Sequence, residues 1–447
     1  MSLAMRLAEF VCELKLETLP EEVVEKARTC VLNGYGIALG SHTTPFFPVA
    51  AQAVLAMDGE RELGSTLLAS GHKSTVAGAA LANAALFHGR AQEDTCGVAH
   101  FGAVLLPLLT AMMENNEGSV EQLLPALIAG YEVGGLLETA YSAKTTAKGL
   151  RASPLYGTIA AAAAVAKMRD LKVEQTAAAL SNAASFTGGI LQSFGDGTDE
   201  WRYQVGIAAR NGLAAATLAE AGSISAHAAF EGRSGFVRTY VGEECDVSAL
   251  VAQLGKEWSI SKVTFKPYPV CALNQTPVIA ALAMHKQLDG AQPQAVRIRM
   301  NPTCVGYAGM DNIGPFSSLS GTLMSIQFCV ATTLLYGEPS VERMSDFSDS
   351  AVMALMPCIQ PIADPAYDLL SCCIEAEVEG KDQALVQECL VDHTEYSYDR
   401  SQVSTLIRRI GVETGVPEQA YEYLERFAET LPQAKLNDVL SAFKTIQ

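Results

Sequence analysis

A mainly α-helical molecule carrying a smaller α+β unit is encoded in this chain of 447 residues, and three observations say so. Through the first half, apolar residues recur at spacings of three and four, as one face of a helix requires. Several of those segments, Gly157 to Ala166 and Ala209 to Ala221 among them, are dominated by Ala and Gly, which lets helix backbones pack closely. From about residue 266 the texture changes to Pro-rich turns and to strand-like alternation, as in Ala295-Val296-Arg297-Ile298-Arg299-Met300.

Taken in chain order, Leu7, Phe10, Val11 and Leu14 share a face and predict a helix from Met5 to Leu14. In the next, Thr18 can cap, Pro20 sits just inside the start and Glu21 and Glu22 suit the positive end of the dipole. Its apolar run continues to Leu39 before Gly40. Further helices are expected near 46–57, 75–87, 103–115, 120–143, 153–168, 173–186 and 203–221. Beyond residue 266, Ala295–Met300 and Ser371–Val378 read as strands, with Gly321–Tyr336 and Ser348–Met356 helical between them. The tail from Pro417 to Phe443 returns to an amphipathic helix that packs back on the first part. The expected division is an all-helical domain, 1–266, completed by 401–447, with 267–400 as the α+β domain.

Lys and Arg number 31 against 49 Asp and Glu, a net charge of −18 that repels nucleic acid and anionic membrane surfaces. No stretch has the roughly 18 uninterrupted apolar residues of a membrane span, and the start lacks the layout of a secretion signal. A cytoplasmic protein is the expectation. The 11 cysteines are sparse, irregularly spaced and set in apolar contexts, with no Cys-x-x-Cys, so reduced buried thiols are expected rather than disulfides, zinc or an iron–sulfur cluster.

A Walker loop, Gly-x-Gly-x-x-Gly after a strand, His-Glu-x-x-His and Gly-x-Ser-x-Gly are all absent, which removes the main support for nucleotide-dependent and zinc-hydrolase readings. Polar residues gather instead in four patches between apolar helices. The first runs from His88 through Arg90, Glu93, Asp94 and Thr95 to His100, a loop that needs solvent or a ligand to satisfy it. The second, Lys144, Lys148 and Arg151 ahead of the helix holding Tyr156, offers a carboxylate both cations and a helix N-terminus. In the third, Thr198 to Gln204, Arg202 can grip a carboxylate in bidentate fashion or pair with Glu200 or Asp199. The fourth, Phe265-Lys266-Pro267-Tyr268-Pro269-Val270-Cys271, lies at the domain junction. A lysine desolvated there would lose affinity for its proton and act as a base, although the segment is equally intelligible as a rigid hinge.

In this order the patches resemble the MmgE/PrpD family, over nearly the whole chain. The likeness rests on Leu32-Asn33-Gly34-Tyr35-Gly36, on Asn83 to Thr95, on Gly130-Tyr131-Glu132-Val133-Gly134 and, most specifically, on Lys266-Pro267-Tyr268-Pro269-x-Cys271. The resemblance implies a large helical domain with an inserted α+β domain, a homodimer, a site in the cleft between domains, and chemistry such as 2-methylcitrate dehydration, cis-aconitate decarboxylation or iminodisuccinate epimerisation. It also exposes departures. The family's dehydratases and decarboxylases place an Asp where this chain has Ala91, a Gly-Phe-His where it has Gly149-Leu150-Arg151, and a Lys-x-x-His where it has Trp201-Arg202-Tyr203-Gln204.

An epimerase needs only reversible proton exchange, whereas a dehydratase must also assist a leaving hydroxide and a decarboxylase must protonate a carbanion. Loss of acid groups with gain of Arg151 and Arg202 therefore points to a cofactor-free and metal-free epimerase of a polycarboxylate, iminodisuccinate foremost, with a family-type lyase as runner-up and a non-enzymatic scaffold behind it. Lys266 and either His100 or Tyr156 are the expected acid/base pair. Arg151, Lys148 and Arg202, with Thr95 and Tyr268, are the expected substrate-binding residues.

Overall fold

The computed structural model of the protein describes residues 1–447. Ten helices fill its first half: α1 (Leu3–Glu13), α2 (Glu21–Gly40), α3 (Phe46–Asp58), α4 (Val76–Phe87), α5 (Gly102–Glu114), α6 (Leu123–Ala147), α7 (Ala152–Met168), α8 (Val173–Phe186), α9 (Gln192–Asp196) and α10 (Glu200–Glu220). The mainly α class with a smaller α+β part is thus the observed one. Pro20 turns out to be the cap residue of α2, and Thr18 belongs to a separate 3-10 turn, Leu16–Thr18. A two-stranded ribbon, β1 (Ser65–Thr66) with β2 (Lys73–Ser74), separates α3 from α4.

The small-residue helices α6, α7 and α10 pack tightly. A Cβ on Gly212 of α10 would lie 2.4 Å from the Ala161 Cβ of α7 and 2.8 Å from the Thr158 carbonyl oxygen. Glycine is therefore a condition of this approach, which sets the starts of α7 and α10 beside each other.

The α+β part is a four-stranded sheet in the order β4-β3-β5-β6, built from β3 (Pro293–Met300), β4 (Ile359–Ala363), β5 (Cys372–Val378) and β6 (Leu385–Cys389). β3 runs parallel to β4 and antiparallel to β5, and β6 closes the other edge antiparallel. The helices Gln275–Leu288 and Ile326–Tyr336 accompany it. The helix expected over 321–336 is in fact two. Leu319–Thr322 ends first, and Ser325 then caps Ile326–Tyr336 by accepting from the Phe328 N–H.

The tail forms three helices, Arg400–Thr414, Glu418–Thr430 and Leu436–Lys444. The first packs on α2, where Gly36 and Gly40 leave room for Ile407 and Ile410. One hydrophobic core runs from Leu3 to Phe443 and takes in Val278 and Val296, so the helical and α+β parts share it. No helix is long and apolar enough to cross a membrane.

Candidate active site

The loop between α4 and α5 is buried almost throughout, from His88 to Cys96. A short antiparallel clasp fixes it. The Thr95 N–H donates to the Thr264 carbonyl at 2.8 Å and the Thr264 N–H returns to Thr95 at 2.9 Å. Their hydroxyls meet at 2.5 Å, and Gln92 Nε2 donates to the Pro267 carbonyl at 2.9 Å. The clasp sets Glu93 opposite Lys266, with Nζ 2.5 Å from Oε1 and the two side chains 4% and 2% exposed.

Two imidazoles flank this ion pair. His88 Nδ1 stands 3.1 Å from Glu93 Oε2, and its Nε2 accepts from Arg151 Nη2 at 2.7 Å. Since an arginine can only donate, His88 carries its proton on Nδ1, facing Glu93. His100 Nδ1 lies 2.9 Å from the Asp94 carbonyl oxygen and 3.5 Å from Glu93 Oε1. A carbonyl only accepts, so the His100 proton is also on Nδ1 and its lone pair is on Nε2. His88, Glu93 and His100 form no metal-binding set.

The starts of α7 and α10 bring in two guanidinium groups. Arg151 Nη1 donates to the Trp201 carbonyl at 2.5 Å and to Gln204 Oε1 at 3.2 Å. Arg202 Nη1 donates to the carbonyls of His88 and Gly89 at 2.5 and 3.0 Å, so this side chain holds the end of α4 in place. Its guanidinium lies 3.6 Å over the Trp201 ring, whose edge meets His88 at 4.8 Å. Arg202 Nη2 and Trp201 Nε1 are buried without a hydrogen-bond partner in the chain.

Burial raises the cost of every charge here, and the neighbours decide the outcome. It pushes the Glu93 carboxyl up, but His88, Lys266 and His100 overcome that and hold it well below the usual carboxylate range. Burial brings His88 down to about 3 against the pull of Glu93, with Arg151 and Arg202 adding to it. His100 is held well below its ordinary value by burial and then by Lys266. Both imidazoles are therefore neutral at physiological pH. Burial lowers Arg151 to about 10 and Arg202 to about 9, which leaves both charged. Burial raises Asp94 to about 6 against its hydrogen bond from Tyr131. The group around Glu93 thus carries three cations.

Four of the residues expected from sequence converge on Glu93 and His88: Lys266, His100, Arg151 and Arg202. Lys266 meets the cluster as the ion-pair partner of Glu93. The others lie elsewhere or are engaged. Lys148 donates to the carbonyls of Tyr240 and Val241 at 3.1 and 2.8 Å, and Lys144 pairs with Glu243, so the expected Lys144–Lys148–Arg151 cluster does not form. The Tyr156 hydroxyl meets Thr145 at 2.9 Å and its ring packs edge-on to Phe236, in the core of α6 and α7. The Thr95 hydroxyl is spent on Thr264, and half-buried Tyr268 lies 5.3 Å beneath the Arg409 guanidinium. His88 and Glu93 of the first patch and Trp201 of the third were not among the expected acid/base or substrate-binding residues, although all three stand inside charged patches legible in the sequence.

A groove of about 480 Å³ lies one residue from this cluster. Pro154, Phe186, Thr187, Ile207 and Gln204 line it, and Gln204 is the residue that accepts from Arg151 behind it.

Residues 5–247 match the MmgE/PrpD N-terminal domain and residues 268–409 the MmgE/PrpD C-terminal domain. The chain is 30% identical over 277 residues to a cis-aconitate decarboxylase-like protein, oryM, of Aspergillus oryzae, covering 58% of this chain and 57% of that protein. It is 24% identical over 371 residues to a cis-aconitate decarboxylase of Aspergillus terreus, covering 77% and 74%. To the cis-aconitate decarboxylase of Homo sapiens it is 27% identical over 291 residues, covering 62% and 58%. The chain thus spans less than two thirds of the Aspergillus oryzae and human relatives that it matches.

Proposed function

Because the chain belongs to the MmgE/PrpD family, we propose that it is a cofactor-independent enzyme that generates a carbanion beside a carboxylate of a polycarboxylate substrate, with a lyase outcome of the cis-aconitate decarboxylase kind. The observation that carries this reading is the buried cluster in which Lys266, Arg151 and Arg202 outnumber the carboxylates of Glu93 and Asp94, beside two neutral histidines. Buried cations in excess call for anions, and a substrate with two or three carboxylates supplies them.

In the decarboxylation, the bond from the α-carbon to one carboxylate breaks, carbon dioxide leaves, and the electron pair stays on carbon as a carbanion. Arg151 and Arg202 stabilise that developing charge through the remaining carboxylates. The carbanion takes a proton from the Lys266 ammonium, and Lys266 regains one from solvent by way of His100, which takes a proton up on Nε2 and gives one up from Nδ1, 3.5 Å from the Glu93 oxygen that holds Nζ. A single proton donor suffices for this reaction. An epimerase needs acid/base groups on both faces, and Tyr156, one of the two candidates for the second face, is tied to Thr145 away from the cluster.

Epimerisation of iminodisuccinate remains the second reading, favoured by Ala91. This buried alanine, at φ 56°, presents a methyl group where the family's dehydratases and decarboxylases place an Asp.

Proton NMR in deuterated buffer separates the readings. With cis-aconitate, loss of substrate together with a decarboxylated alkene supports the lyase. With iminodisuccinate, loss of the α-proton signal without new vinyl signals transfers the assignment to the epimerase. Turnover of neither, nor of 2-methylcitrate, overturns the polycarboxylate proposal. In either active case Lys266→Met should lower kcat by about 10²–10⁴.

A further inference from the structure

Three side chains of α6 reach out of the helix toward the segments that carry Lys266 and His100. The Tyr131 hydroxyl donates to Asp94 Oδ2. Glu132 accepts two backbone N–H groups, from Ser259 at 2.9 Å and Ile260 at 3.0 Å. Glu138 accepts the Val98 N–H at 2.9 Å. Both glutamates are 3% exposed, and neither has a salt-bridge partner. Ile260 precedes Lys266 by six residues, and Val98 precedes His100 by two.

The glycines around them make this reach possible. A Cβ on Gly135 would lie 2.5 Å from the Ser259 Cβ, and one on Gly134 would lie 2.8 Å from the Phe101 ring. Gly97, at φ 61°, leaves its Cβ space to the Glu138 carboxylate, whose oxygens stand 2.2 and 2.3 Å from that point. The two held segments also touch directly, through Cys96 Sγ donating to the Ser259 carbonyl at 3.7 Å.

Two carboxylates buried on one helix are expensive unless each is used. Here each is used on a short backbone segment, for Glu132 the start of the 3-10 turn Ser259–Lys262, that leads to a proton-handling side chain. We propose that Glu132 and Glu138 are positioning residues for the reaction, Glu132 setting the placement of Lys266 and Glu138 that of His100. The inference rests on the proposed function for its kinetic consequence, while the grip itself can be measured without a substrate.

Chemistry separates the two glutamates. A carboxamide offers one acceptor oxygen and turns an NH2 outward. Glu132→Gln can serve only one of its two N–H groups and confronts the other with a donor, whereas Glu138→Gln can still accept its one backbone partner, the Val98 N–H. Leucine removes acceptance altogether in Glu138→Leu. The four proteins to compare are wild type, Glu132→Gln, Glu138→Gln and Glu138→Leu, with Val439→Ala as a buried destabilised control far from the site.

Amide hydrogen exchange should show at least tenfold faster exchange over residues 258–266 in Glu132→Gln and over 96–100 in Glu138→Leu. Glu138→Gln should keep wild-type protection in both segments. On whichever polycarboxylate the wild type turns over, kcat should fall tenfold or more in Glu132→Gln and Glu138→Leu, with KM within about threefold. Val439→Ala and Glu138→Gln should keep their kcat. Unchanged exchange in the two segments overturns the grip. Faster exchange with wild-type kcat overturns the positioning role and leaves only a structural one. If the wild type turns over no polycarboxylate, the proposed function fails, while the exchange results still decide the grip.

Discussion

Neutral imidazoles beside a charged carboxylate give the cluster a pH signature that belongs to single residues. Burial holds His88 down at about 3, against an ordinary value of 6.5. A group whose folded value is depressed binds its proton more readily when the chain is unfolded. Its contribution to stability is therefore present above pH 6.5 and is lost as pH falls below that, by about 1.4 kcal/mol per pH unit. Asp94 and Glu132, both raised by burial, act in the opposite sense at acid pH, so the whole protein's profile mixes signs. A comparison with His88→Gln isolates one group, because glutamine does not titrate. Between pH 7.5 and 5.5 the wild type should lose on the order of 1 kcal/mol more than His88→Gln, read from urea midpoints. Parallel profiles would mean that His88 takes up its proton in the folded state. The identity of this residue's partners was not legible in the sequence. His88 and Glu93 are five positions apart in one loop, but their meeting with Arg151, Arg202 and Lys266 depends on three further elements.

At the scale of elements, the sequence was most informative where a single face decides the structure. The helical periodicity of α2 to α8 survives folding because each of these segments is apolar enough to be buried whichever neighbour it meets. The strands β4 and β6 were missed for the opposite reason: both are sheet edges, β4 carries Pro361, and in neither do apolar and polar residues alternate along the sequence. Helix Arg400–Thr414 was missed because its pattern is short of apolar residues, and its burial comes from glycines on α2 that admit Ile407 and Ile410. The same use of glycine sets α7 against α10. Intrinsic helix propensity says that Gly212→Ala should stabilise α10 by up to about 1 kcal/mol. The structure says the reverse, since the added methyl meets Ala161 and the Thr158 and Ala162 backbone within 3 Å, and overpacking of this kind costs about 1–3 kcal/mol. Gly212→Ala should therefore lower the urea midpoint. A rise would show that α7 and α10 can separate without loss, which would also loosen the placement of Arg151 and Arg202 at their starts.

Across the whole molecule, the tail adds a link between the helical part and the α+β part to the core that they share. Glu413, near the end of helix Arg400–Thr414, accepts from buried Arg90 through Oε2 and from the Val341 N–H through Oε1 at 2.9 Å. One turn earlier Arg409 donates to the Pro267 carbonyl and pairs with Glu338 at 2.9 Å. One helix thus touches the site loop, the Lys266 hinge and the α+β part together. The sequence showed amphipathic character in this tail but not its role, because all four contacts span more than 70 positions. We place the division between the parts at 266/267 and 400/401 as a working proposal, and the shared core means that these links, rather than separate folding, govern how the two parts sit. Removing Glu413 leaves Arg90 with a buried guanidinium and frees the Val341 amide. Glu413 is partly exposed, so the expected loss is about 1–3 kcal/mol, less than for a fully buried pair. Arg90→Met added to Glu413→Ala should recover most of it, because the stranded charge is the larger part of the cost. If Glu413→Ala alone is neutral, Arg90 finds another acceptor and the link is a surface pair. If the double variant falls further than the single, Arg90 supports the site loop through Gln92, which accepts its Nε at 2.8 Å, and the tail holds the Glu93–Lys266 clasp through that residue.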